Sequence, residues 1–282
     1  MRICLITPRP DHPLLAGMTA LLGSRHRIES IDPTMDGQLA AYEGESAVPL
    51  ADVYLLKART PQALALARSL EGRGATVVNS AAATELCQDR TAMAALAHRA
   101  GLPFAKTTTI ATLRQLDSSP GLVHPLVVKS RRSRRDDLVT RVDTPAHLRA
   151  LHATWGDEPV VVQPFTENSG WDRKLWVIGG HVFAALRRSE LADAGERGPT
   201  LPLALGDLPD GWIELARAVG SVFALDVYGV DIIDAGGAAL IVDINAFPGV
   251  RGQSGAPRAL AALALRKARS GVAKGACREA CR

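Results

Sequence analysis

Aromatic residues are scarce in this chain, only 4% of its 282 positions. With none interleaved among its basic residues, the sequence offers no stacking platform for single-stranded nucleic acid, which argues against such a partner. Cysteine is also sparse. Cys4, Cys87, Cys277 and Cys281 form no clustered framework, which excludes a disulfide scaffold and fits a reduced compartment. Cys277 and Cys281 have no His or further Cys beside them, too few ligands for structural zinc. No apolar run reaches bilayer-spanning length and no signal-peptide pattern opens the sequence, so a cytoplasmic protein without a membrane partner is expected. Nor does a G-x-G-x-x-G follow the first apolar run, so the dinucleotide fingerprint is absent.

What is present is globular: 47% hydrophobic and 22% charged residues match ordinary soluble usage, and the length suits two or three subdomains. The net charge of +4 conceals an uneven distribution, because "KSRRSRR" (129–135) alone carries five positive charges. Such a cluster is as consistent with an acidic small molecule as with nucleic acid.

"RICLITP", "HRIESID", "ADVYLLK" and "ATVVNS" read as strands, with helical patterns over "HPLLAGMTALLGS" and "TPQALALARSLEGRG". The second helix has Thr60 as N-cap and Pro61 at its first position. This alternation predicts a small parallel α/β domain over residues 1–83. A second unit, residues 84–158, holds the helix "CQDRTAMAALAHRAGLPFAKT", the strands "LVHPLVVKS" and "DLVTRV" around the arginine turn, and a helix at "TPAHLRALHATW". A third, residues 159–266, holds "VVVQPF", a Gly-Gly hairpin in "DRKLWVIGGHVFAALRR", the helix "GWIELARAVGSVFA" and a second Gly-Gly hairpin, "VYGVDIIDAGGAALIVDINAFPG". Residues 267–282 become small and polar, and a frayed tail is expected there.

The last hairpin carries the chemistry. Strand alternation places Asp243 and Asn245 on one face with Val242 and Ile244 on the other, and Asp231 stands on the partner strand. Three oxygen donors converging there suit Mg²⁺ carried by a nucleotide. The same residues also fit a solvated edge and a turn before Pro248. Lys129 ends an apolar strand and so needs an anion, a nucleotide phosphate being one partner, unless its stem simply snorkels to water.

Taken in order, these pieces resemble the ATP-grasp superfamily and, within it, the RimK-type carboxylate–amine ligases. The resemblance rests on "NSAAATELCQDRTAMAALAHRAGLPFAKT", "PLVVKS", "VVVQPF", "GWDRKLWVIGGHVFAALRR" and "GVDIIDAGGAALIVDINAFPGVRG", spread over residues 79–252. It implies an α/β, two-lobed ATP-grasp fold behind an N-terminal α/β domain, with ATP and Mg²⁺ between the lobes. The implied reaction phosphorylates a small-molecule or peptide carboxylate and joins it to an amine through the acyl phosphate, forming an amide or peptide bond and releasing ADP and phosphate. Carried over by motif, Asp231, Asp243 and Asn245 hold the metal, and Arg90 and Lys129 hold phosphates. Gln163, Pro164 and Phe165 form a hinge whose backbone N–H and C=O groups read adenine, with Asp172 on the nucleotide side. Lys174 and Arg188 hold the substrate carboxylate or developing acyl phosphate. Relatives are often dimers, so the resemblance extends to a homodimer.

Three departures stand out. Asp89-Arg90 replaces an Asp-Lys pair, Asp243 replaces a glutamate, and the usually glycine-rich loop after Lys129 is "SRRSRRDDL". Arg131, Arg132, Arg134 and Arg135 either replace the amide cradle with side-chain contacts or form a solvated loop. Lys57, Arg59 and Thr60 end a strand near the expected cleft, as substrate contacts or as an ordinary connection. Two other readings stay open, an ATP-grasp kinase for a polyanionic alcohol and a non-catalytic nucleotide-binding module.

Overall fold

The computed structural model describes residues 1–35, 37, 42, 48–119, 121–189, 191 and 200–280, with side chains described as far as residue 270. The chain opens with β1 (Arg2–Ile6), α1 (Pro13–Leu22), β2 (Arg27–Ile31), β3 (Val53–Leu56), α2 (Pro61–Gly72) and β4 (Val77–Val78). Their strands form a parallel sheet in the order β2-β1-β3-β4. β1 and β3 are apolar on both faces because both faces are covered. Ile3, Leu5, Val53 and Leu55 pack with α1, while Cys4, Ile6, Tyr54 and Leu56 pack with α2. The start of α2 is as read: Thr60 Oγ1 accepts from the Ala63 N–H at 3.2 Å.

Next come α3 (Ala81–Leu86), α4 (Arg90–Arg99), β5 (Thr108–Ile110), α5 (Leu113–Asp117), β6 (Leu126–Ser130), β7 (Val139–Val142), α6 (Pro145–Ala150), α7 (His152–Trp155) and β8 (Val160–Pro164). β5-β8-β6-β7 is an antiparallel sheet. The helix expected from Cys87 starts only at Arg90, because the Asp89 carboxylate caps it, accepting from the Thr91 and Ala92 N–H groups at 3.0 and 3.3 Å.

The remaining elements are β9 (Trp171–Ile178), β10 (His181–Arg188), β11 (Thr200–Leu203), α8 (Trp212–Phe223), β12 (Val227–Ala235), β13 (Ala238–Ala246) and α9 (Ala256–Ala280). The five strands pair antiparallel in the order β11-β10-β9-β12-β13. Gly179-Gly180 and Gly236-Gly237 turn the two hairpins with positive φ throughout, 56° and 91° in one and 69° and 95° in the other. Only glycine takes that pair of angles without strain. The stretch expected to fray instead continues α9 to Ala280; the side chains of Cys277 and Cys281 lie outside the described residues. Ala256, Leu260, Leu263 and Ala264 of α9 join the core that α1 shares with β1 and β3, which binds the C-terminal helix to the first sheet.

Asn79, 1% exposed just after β4, makes a second tie. Its Nδ2 donates to the Val227 carbonyl at 2.6 Å, and its Oδ1 accepts from the Asp226 and Val227 N–H groups at 2.8 and 3.0 Å. The entry to β12, and so the position of Asp231, hangs on these bonds. Asn79→Ala leaves the Asp226 and Val227 N–H groups without this acceptor, while the Val227 carbonyl keeps the Phe247 N–H at 2.9 Å, and it is expected to lower unfolding free energy by about 2 kcal/mol, read as a shifted urea midpoint at unchanged m.

Candidate active site

The two antiparallel sheets face each other across a cavity of about 320 Å³. Strand alternation decides what lines it. Val127 and Lys129 of β6, Asp172 and Lys174 of β9, and Asp231 and Ile233 of β12 all point in, each pair two residues apart. From β10 the inward residue is Arg187, followed by Ser189; Arg188, chosen from the sequence, is exposed and does not reach the cavity. Arg187 lies directly opposite Asp172 in the β9–β10 ladder. The other sequence-chosen residues, Arg90, Lys129, Gln163, Pro164, Phe165, Asp172, Lys174, Asp231, Asp243 and Asn245, all line this one space.

β13 corrects a second expectation. A register shift between Asp231 and Ile232 sets Asp231 opposite Asp243 and Ile232 opposite Ile241, leaving Val242 as the extra residue. Val242 therefore lines the cavity with Asp243 and Asn245, while Ile241 and Ile244 enter the core. The displaced Val242 carbonyl accepts a 2.8 Å hydrogen bond from Lys129 Nζ.

Like charges face each other at Asp231 and Asp243, an arrangement that destabilises a sheet unless cations answer it. They do. Lys174, opposite Asp231 on β9, places Nζ 2.5 Å from Asp231 and 3.9 Å from Asp172. Arg90 lies 3.6 Å from Asp243 and 2.6 Å from Asp137, and the same nitrogen that meets Asp137 donates to the Ser130 carbonyl at 2.8 Å. Burial lowers the Arg90 pKa, but Asp243 and Asp137 outweigh it and the net movement is upward. Its Nε is buried without a hydrogen-bond partner in the protein. Burial pushes Lys129 down to about 8 although Asp243 pulls the other way. Burial also raises the Asp172 carboxyl, with Lys174 opposing.

At the hinge, Gln163 is buried and its Nε2 donates to Thr107 Oγ1 at 3.0 Å. Pro164 has no N–H, and the Phe165 N–H donates to the Pro125 carbonyl at 3.2 Å, so neither has an amide hydrogen to offer a ligand. Thr166, the next lining residue, is the first that could. The Arg141 guanidinium stacks 4.1 Å from the centre of the Phe165 ring.

The arginine loop does not act as a unit. Arg131 grips the helix-capping Asp89 through Nε at 3.1 Å and a terminal nitrogen at 2.8 Å, with Arg132 3.8 Å from the same carboxylate. Arg134 forms a fork to Glu158 at 2.6 and 3.0 Å while lining the cavity. Arg135 turns to a different cavity altogether. Among the residues left open by the sequence, Arg59 lines both cavities, and Lys57 and Thr60 line the second.

A family model described as a RimK-like ATP-grasp domain matches residues 88–262. A probable alpha-L-glutamate ligase of Legionella pneumophila (strain Corby) is 24% identical over 283 residues, covering 89% of each chain. Among solved structures, the RimK domain protein ATP-grasp from Sphaerobacter thermophilus DSM 20745 superposes with a TM-score of 0.71 at 19% identity, over 93% of this chain and 99% of that one. The D-alanine–D-alanine ligase from Bacillus anthracis complexed with ATP gives 0.70 at 16% identity, over 96% and 99%. The chain is thus an ATP-grasp ligase, and it belongs to the RimK-like ATP-grasp family.

Proposed function

We propose that the protein joins a carboxylate to an amine at the expense of ATP, through an acyl phosphate that the amine attacks. The observation that carries this reading is the convergence of a buried lysine and arginine with two opposed carboxylates and an amide in one inter-sheet cavity. Asp231, Asp243 and Asn245 supply oxygen donors of the kind a hard divalent cation takes, and the Arg90 guanidinium lining the same cavity suits phosphate oxygens. Magnesium, when bound there with the nucleotide, supplies neutralisation of phosphate charge during transfer. Lys129 and Arg90 hold the phosphates from the β6 side. Lys174 and Arg187 hold the substrate carboxylate from β9 and β10, with Arg187 taking the role expected of Arg188. Phe165 and its neighbours hold the base, with Thr166 supplying the N–H. The ion pairs of Lys174 with Asp231 and of Arg90 with Asp243 hold both cations in the cavity, where they would be in position for phosphate and substrate oxygens.

The test is ADP release in the presence of magnesium across pairs of carboxylates and amines, with mass analysis of the product. ADP should appear only when both are present, with an amide as product. Release with an alcohol alone would make the protein a kinase; no release with any combination would leave only nucleotide binding.

The strand register gives a sharper prediction. Arg187→Ala is expected to lower kcat/KM by about a hundredfold, as for loss of one charge-stabilising contact, whereas Arg188→Ala should stay within about twofold. Equal effects of the two variants would overturn the assignment.

A further inference from the structure

Lys57 stands just past the end of β3, and its own N–H donates to the Ile6 carbonyl at 3.0 Å, so its backbone belongs to the first sheet. Its ammonium reaches elsewhere. Nζ crosses to the turn after β13, donates to the Phe247 and Pro248 carbonyls at 3.0 and 3.2 Å, and lies 5.3 Å from the centre of the Phe247 ring. These groups wall the second cavity, and among the described residues no Asp or Glu lines it, so two carbonyls and a ring face take the place of a counter-ion. Burial, then Arg59 and Arg9, lower the Lys57 pKa to about 8, which leaves an ammonium able to donate at neutral pH.

The turn it grips is strained. Phe247 has φ 44°, in the left-handed region that a bulky side chain rarely enters and keeps only where its surroundings impose it. Two restraints impose it here: the Phe247 N–H donates to the Val227 carbonyl at 2.9 Å, and the carbonyl of the same residue accepts from Lys57. The turn folds the Pro248 ring back over Gly229, where the lack of a side chain makes the room; a Cβ at Gly229 would stand 3.2 Å from Pro248 Cγ and 3.1 Å from Trp176 Cδ1. Gly229 is the residue directly opposite Asn245 in the β12–β13 ladder. A cation of the first domain, a strained turn and an oxygen donor of the candidate site thus form one continuous line of contacts.

We propose that Lys57 is a positioning residue: through its two hydrogen bonds the first domain fixes the turn after β13, and with it Asn245, so that losing Lys57 loosens the metal more than the nucleotide. This rests on the reading of Asn245 as a magnesium ligand, which Asn245→Ala tests separately. Mn²⁺, standing in for magnesium, is titrated into the full-length protein with ADP and followed by the paramagnetic resonance of the free ion. Lys57→Met should weaken Mn²⁺ at least about tenfold, the scale of losing a group that orients a metal ligand, while ADP without metal binds within about twofold of wild type. Gly229→Ala, which presses on the same turn from the other side, should weaken Mn²⁺ as well. In Lys57→Ala, n-propylammonium replaces the missing atoms and should restore Mn²⁺ affinity, whereas tetramethylammonium, a cation without an N–H, should not; a merely structural loss would respond to neither. Wild-type Mn²⁺ affinity in Lys57→Met, failure of n-propylammonium to restore it in Lys57→Ala, or equal restoration by both cations would overturn the proposal, with Asn245→Ala still weakening the ion. If Asn245→Ala leaves Mn²⁺ affinity unchanged, the metal reading of Asn245 falls and the proposal falls with it.

Discussion

Asp243→Asn is expected to cut ADP release by at least about a hundredfold, the scale of losing one preorganised charge at a phosphoryl-transfer site. The substitution keeps the shape of the side chain and removes only its charge. Arg90 retains Asp137 at 2.6 Å and the Ser130 carbonyl at 2.8 Å, so the helix start stays anchored. Removing one of two opposed carboxylates also relieves repulsion with Asp231 across the ladder, which limits any loss of stability. The damage should therefore fall on metal-dependent turnover, with the magnesium concentration for half-maximal rate rising in the variant. Asp231→Asn is the less clean experiment, because Lys174 would lose its 2.5 Å partner and keep only Asp172 at 3.9 Å. Initial rates against magnesium concentration, alongside the thermal midpoint, separate the two effects. A variant turning over within a few-fold of wild type would show that Asp243 is no metal ligand.

Much of this geometry was readable from the chain, and the misses have specific causes. Both hairpins follow from Gly-Gly between β-rich runs, and the first even fixes its register. A two-residue turn at Gly179-Gly180 pairs Ile178 with His181, which counts back to Asp172 opposite Arg187. That count sets Arg187, and not Arg188, on the cavity face with Asp172. In the second hairpin the same count fails: an unbroken ladder from Gly236-Gly237 sets Val242 opposite Asp231, but the bulge sets Asp243 there. No residue at 242 announces it, since a valine bulge has no signature comparable to a glycine in the left-handed region. The partners of the arginine loop were also out of reach, because Asp89 and Glu158 lie far along the sequence from it and meet it only through tertiary packing. Asp89 shows how two roles merge. One carboxylate caps α4 and anchors Arg131, and burial, the largest influence, raises its pKa while these bonds more than reverse that and hold it low. The hinge was legible as a place and, through Pro164, as one missing N–H, but only the fold shows that the Phe165 N–H is taken by the Pro125 carbonyl.

Lys129→Met should lower ADP release by about a thousandfold or more, because the side chain is both the buried cation of β6 and the link to the bulged carbonyl of β13. The fold should survive it. An ammonium that burial pushes from 10.5 down to about 8 is held in the native state against its own solvation preference. The sign follows from proton counts. Between about 8 and 10.5 the unfolded chain still binds this proton and the folded chain has released it, so stability rises with pH across that window. Below about 8 both states are protonated and the cost of burying the charge is present in full. The methionine variant escapes that cost, so any stability advantage it holds is greatest at neutral pH and shrinks as the pH climbs toward 10.5. Nucleotide binding depends on the same proton in the opposite sense: phosphate needs the charged amine, so wild-type affinity for ADP with magnesium should fall above about pH 8 and binding there should take up a proton. Calorimetry in two buffers of different ionisation enthalpy reads that uptake directly. Lys57 also sits near 8, but in the second cavity, and Lys129→Arg distinguishes the two by keeping a permanent charge at β6. If the arginine variant still takes up a proton on binding ADP, the titrating group is not Lys129, and phosphate binding must be sought from Arg90 and its neighbours instead.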